Sequence, residues 1–165
     1  MYADHAFIVS EAGNHGMQVF DLTQLRSVAS PPVTFAETAH YNGFGNAHNI
    51  VINEDSGFGY AVGSAMGCTT CGGGLHMIDL RDPKNPTFAG CFQDGNTANA
   101  GTGSSHDAQC IAYHGRDEDW TGREIFFGAN ENALSIADVT DKQNPVPLAS
   151  ADYPNVGYTH QGWIT

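Results

Sequence analysis

The feature that most constrains this chain is a repeat. Val19-Phe20-Asp21-Leu22 matches Met77-Ile78-Asp79-Leu80 and Ile136-Ala137-Asp138-Val139. The three aspartates stand 58 and 59 residues apart. The later two copies run into near-identical polar turns, Arg81-Asp82-Pro83-Lys84-Asn85-Pro86 and Thr140-Asp141-Lys142-Gln143-Asn144-Pro145. A second marker keeps nearly the same period: Ala47-His48-Asn49, Ser105-His106-Asp107 and Thr159-His160-Gln161, each followed by apolar sequence. A recurrence of this length marks one supersecondary unit used several times.

Between the markers lie short apolar runs separated by Gly, Asn, Asp and Pro, the pattern of antiparallel strands and tight turns. The second unit predicts strands at 48–53, 59–64, 75–80 and 87–92. The third predicts 106–113, 124–129, 134–139 and 146–152. The first supplies only the last three strands, at 6–10, 17–22 and 33–38, and the tail at 160–165 opens a fourth unit. The expected fold class is all-β: a β-propeller of four-stranded antiparallel blades, with about three blade equivalents. Residues 1–165 then form a single partial domain, with blade 1 at 6–38, blade 2 at 48–92 and blade 3 at 106–152. A repeated β-sandwich is the competing architecture. Propellers have about four to eight blades, so the reading implies a longer chain or two copies joined head to tail. Both ends fall in strand-like sequence, and the start has neither a basic nor an apolar leader region, so the chain reads as part of a longer protein.

With 18 acidic residues against 6 basic ones, the net charge is −12. That argues against nucleic acid, which needs a basic face, and against an anionic membrane surface. It suits cations or basic partners, although solubility alone also accounts for it. No run approaches the roughly 20 apolar residues of a membrane helix.

Several longer strings resemble the LVIVD-repeat propellers of bacteria, and more closely the choice-of-anchor B family of surface proteins. They include 4–12, 16–22, 74–79, 88–92, 105–110, 121–124 and Tyr158-Thr159-His160-Gln161-Gly162-Trp163. The resemblance covers nearly the whole chain. It implies a secreted or cell-surface protein with a signal peptide upstream and an anchor downstream. The expected role is a non-enzymatic surface propeller that presents loops for binding or acts as an assembly scaffold, with a protein or glycan at the cell surface as partner. The resemblance carries no biochemical activity.

In a propeller the first strand of each blade lines the central channel, so His48, His106 and His160 form an arc at one mouth. His40 and His15 belong to loops on the same face, and Asp107 follows the second arc histidine. Three converging imidazoles suit a divalent transition metal, which makes a metal-dependent enzyme the alternative to a scaffold. Against this, equivalent positions in a six- or seven-bladed ring lie far apart for one ion, and polar residues there also serve to bond neighbouring blades around a wet channel. Asp79 with Asp82 and Asp138 with Asp141 offer carboxylates for Ca²⁺, but Asx turns use such residues too. Cys68, Cys71, Cys91 and Cys110 allow two disulfides in three connectivities, or free thiols. Counting along the hairpin puts Cys91 opposite His76, near the Cys68–Cys71 loop, so a bridge from that loop to Cys91 is expected. Cys110 is a buried thiol or the fourth partner. Cys110 and His106 share a strand face, but strand rise separates them too far for a catalytic pair.

Overall fold

A computed structural model of the protein describes residues 1–64 and 71–164. Among these the fold is all-β, with three antiparallel sheets. The first contains β1 (His5–Val9), β2 (Met17–Asp21) and β3 (Ala39–Tyr41). The second contains β4 (Asn49–Asn53), β5 (Phe58–Val62), β6 (Leu75–Asp79) and β7 (Thr87–Phe92) in simple chain order. The third repeats that order with β8 (Asp107–Ala112), β9 (Glu124–Ala129), β10 (Leu134–Asp138) and β11 (Val146–Ala151).

The repeated sequence is a repeated set of hydrogen bonds. Asp21, Asp79 and Asp138 each end a strand, and each accepts on Oδ1 from the backbone N–H two residues on, at 2.9, 3.0 and 2.9 Å. This is the Asx turn that a short carboxylate closes without distorting the chain. The following turns also match. Asp82 accepts from Asn85 Nδ2 at 2.8 Å, and Asp141 accepts from Asn144 Nδ2 at 3.0 Å. Register shifts fall at equivalent places, Met77/Ile78 and Ile136/Ala137.

Alternation within the strands decides what each sheet face covers. Tyr60, Val62, Leu75, Met77, Ala89 and Phe92 face the third sheet, where Cys110, Phe126, Ala137 and Val139 meet them. The other face of the second sheet offers Ala61, Ile78 and Leu80 to Met17, Val19 and Tyr41 of the first. The middle sheet is therefore buried on both sides. Close approach of the outer turn requires glycine at 90: a Cβ there would lie 1.8 Å from the Lys142 carbonyl oxygen.

Two elements differ from the sequence expectation. A strand was expected at 33–38, but the chain is irregular there and β3 begins at Ala39. The turn after β2 is a 3-10 helix, Leu22–Ser27, followed by Pro31-Pro32, which cannot donate to a ladder. The tail expected as a strand at 160–165 makes one isolated bridge, Glu131 to Thr159, and residues 160–164 run on without strand pairing.

Cys71 and Cys91 form a disulfide with Cα atoms 5.3 Å apart. Cys91 pairs with His76 across β6 and β7, as counting along the hairpin predicts. Cys110 is a free, buried thiol, so it is not the fourth partner of a second bridge. Burial, with Glu124 next, pushes its pKa up. Cys68 lies outside the described residues.

His76 is fully buried beside the disulfide. Its Nδ1 lies 3.3 Å from Cys71 Sγ and its Nε2 lies 2.8 Å from the Tyr41 hydroxyl. A disulfide sulfur can only accept, so Nδ1 carries the proton and Tyr41 donates to Nε2. Burial lowers the His76 pKa from 6.5 to about 4. Between those values the unfolded chain binds a proton that the folded chain refuses. Stability is therefore expected to fall as pH drops from about 6.5 to about 4, by about 3 kcal/mol in all, and this contribution levels off below that. Urea titrations across this range check the slope; a His76→Gln variant should flatten it.

Candidate metal centre

Each arc histidine is placed by a backbone bond that ties its unit to the sheet before it. Ala47 N–H donates to Ser10 O at 3.0 Å, just before His48. Ser105 O accepts from Gly63 N–H at 2.5 Å, just before His106. Thr159 N–H donates to Glu131 O, just before His160. His48 and His106 then enter their strands by donating their own N–H groups to Val62 O and Ala129 O, both at 3.0 Å. Gly63 makes the close approach feasible. It has φ +61°, and a Cβ there would lie 2.3 Å from His48 Cβ.

The result is convergence. His48, His106 and His160 each offer a ligand atom, and these atoms lie within 4.8 Å of one another. The His48 and His106 rings stack at 4.3 Å, and His160 approaches His106 at 4.5 Å. The distance objection raised by ring geometry thus does not hold for these residues: β4 and β8 pack directly together, and the side chains lean across the gap. First-row metals bind imidazole nitrogen at about 2.0–2.1 Å. The cluster must draw in slightly around an ion, and the exposed His48 and His160 have freedom to do so.

His106 is the half-buried member, and its Nε2 is buried with no hydrogen-bond partner. Such an atom costs free energy unless something binds it. Burial lowers the His106 pKa, and the neighbouring His48 and His160 lower it further, against Asp107 and Glu131. The ring is therefore kept neutral, the form that ligates metal. Tyr158 packs edge-on to His106 at 5.3 Å. Burial, then Glu131, raises the Tyr158 pKa, so its hydroxyl stays protonated.

Glu11 was not singled out by sequence. Its Oε1 lies 2.8 Å from His48 Nδ1. A carboxylate there holds the proton on Nδ1 and leaves Nε2 as the donor to a metal. Glu11 follows β1, two residues past Val9, and Glu131 occupies the matching place after β9, two residues past Ala129. That acidic match was the available signal.

None of the remaining candidates joins the cluster among the described residues. His15 and His40 form a separate pair with ring centres 6.4 Å apart, and His40 Nδ1 pairs with Glu37 at 2.9 Å. Buried Asp107 accepts from Asn49 Nδ2 at 3.1 Å and from Ala108 N–H at 2.8 Å, which is the sheet-to-sheet bonding role. The Ca²⁺ alternative loses its ligands to structure: Asp79 is paired with Arg81, while Asp82, Asp138 and Asp141 close turns.

Three imidazoles with an open side can bind a metal and leave a coordination position for water or a ligand. No known family model, curated protein or solved structure matches this chain.

Proposed function

We propose that this chain is a segment of an extracellular β-propeller of the LVIVD-repeat, choice-of-anchor B kind, and that it binds a divalent transition metal through His48, His106 and His160. The observation that carries the metal reading is the buried, unpartnered Nε2 of His106 inside a three-imidazole cluster. The propeller reading is supported by two four-stranded sheets with matched turns and bulges, stacked in chain order. An oxidising location is supported by the Cys71–Cys91 disulfide. Among the described residues no helix is long and apolar enough to cross a membrane.

The scaffold reading rests on a different observation. Phe127, Leu134, Ile136 and Leu148 are half-buried on the outer face of the third sheet. The repeat equates them with Tyr60, Leu75, Met77 and Ala89, all buried against the third sheet. That face matches one that another repeat covers, either further along a longer chain or in a second copy arranged head to tail.

Metal analysis of the purified protein tests the site. About one equivalent of a transition ion is expected after loading with Zn²⁺, Cu²⁺ or Ni²⁺, and chelation should lower thermal stability. No stoichiometric uptake of any of the three, with stability unmoved by chelator, refutes it. Glu11→Gln is expected to weaken binding on the order of 10–100-fold, the usual effect of losing a carboxylate behind a ligating histidine. A titration with an unchanged Kd would remove Glu11 from the site.

A further inference from the structure

Where the second sheet packs on the third, one buried carboxylate bridges a lysine and an asparagine. Glu124, Lys142 and Asn53 are only 7%, 8% and 5% exposed. Glu124 Oε2 accepts from Lys142 Nζ at 2.8 Å. Glu124 Oε1 accepts from Asn53 Nδ2 at 2.6 Å, from Ser56 Oγ at 2.7 Å and from the Tyr60 hydroxyl. Asn53 Oδ1 is held in turn by the Asp55 backbone N–H at 3.1 Å. The Phe58 ring centre lies 4.2 Å from the lysine nitrogen, walling the group from water.

A buried ion pair is a poor way to stabilise an interface, because desolvation offsets the attraction. The same three groups are, however, the reactants and the proton carrier for an amide exchange. We propose that Lys142 and Asn53 join in an autocatalytic amide cross-link between the second and third sheets, with Glu124 as the proton shuttle.

The steps balance without any oxidant or cofactor. The first step passes a proton from the Lys142 ammonium to the Glu124 carboxylate across their 2.8 Å hydrogen bond. The free amine adds to Asn53 Cγ, and charge growing on Oδ1 is stabilised by the Asp55 N–H. Glu124 gives its proton to the departing Nδ2 and takes one from the attacking nitrogen. The Cγ–Nδ2 bond breaks as the Nζ–Cγ bond stays. Ammonia leaves as ammonium with the remaining proton, and Glu124 returns to carboxylate. Amine and amide are held on the two oxygens of one carboxylate, and a shift of the lysine side chain toward Cγ must complete the approach that so slow an exchange needs.

Intact-mass measurement of the reduced, denatured protein reads the outcome. The expected mass is that of the sequence less one ammonia, and a protease digest should contain a branched peptide joining the Lys142 and Asn53 segments. Glu124→Gln should return the full sequence mass. Wild-type protein at the full sequence mass overturns the proposal. So does an ammonia loss that persists in Lys142→Arg, because a backbone imide at an asparagine loses ammonia as well.

Discussion

His106→Ala is expected to abolish stoichiometric metal binding, with affinity falling at least ~100-fold, the upper end of what losing even an outer-shell partner costs. His106 is the central member of the cluster, with His48 on one side at 4.3 Å and His160 on the other at 4.5 Å. Removing it leaves two exposed rings whose centres are 6.4 Å apart and nearly perpendicular. Those rings gain little from an ion that must also order them. The effect can be read through stability as well as by titration. An ion present at about 100 times its Kd stabilises the wild type by about 2.7 kcal/mol. The same ion should leave the melting temperature of His106→Ala unmoved. His114→Ala, an exposed histidine outside the cluster, should behave like wild type. Equal metal-induced stabilisation of wild type and His106→Ala would exclude this centre.

Measured against Lys142→Arg, which keeps the cation and cannot form the proposed amide, Lys142→Ala is expected to destabilise the fold by about 3–5 kcal/mol, the usual cost of stranding one member of a buried pair. Glu124 would keep Asn53, Ser56 and Tyr60 as neutral donors but lose the cation it pairs with among the described residues. Desolvation, with Cys110 and Glu124 next, pushes the Tyr60 pKa well above its ordinary value, so the phenol cannot donate a full proton in compensation. The contact of the ammonium with the Phe58 ring disappears too. Arg81→Ala gives the contrast. Arg81 is 64% exposed in its pair with Asp79, and such surface pairs contribute about 0–1 kcal/mol. Urea midpoints with matched slopes separate the two cases. A Lys142→Ala midpoint that differs from Lys142→Arg by no more than Arg81→Ala differs from wild type would show that Glu124 is not held as a buried anion.

The repeat was legible because its causes are local. Asp21, Asp79 and Asp138 close the same Asx turn, and each bond spans two residues. The Asp82–Asn85 and Asp141–Asn144 turns are equally short-range. Strand alternation followed, and with it the all-β class. The Cys91–His76 register could be counted along a single hairpin. The histidine arc was visible as three matched positions in the repeat. β3 was misplaced because a 3-10 helix and Pro31-Pro32 lengthen the first unit's turn, and nothing in the later two units announces that.

What stayed hidden depends on distances between sheets. Whether His48 and His106 could share an ion turned on β4 packing directly against β8, with Gly63 leaving room for His48. Glu11 reaches His48 across 37 positions of chain, and Asn53 reaches Glu124 across 71. Composition reads Lys142 and Glu124 as ordinary surface charges, yet both are buried. Period and turn chemistry act over a few residues, so the chain alone dictated the sheets and the order of their strands. The closing of a metal-sized gap and the burial of an ion pair come from how faces meet, and local sequence does not encode that separation.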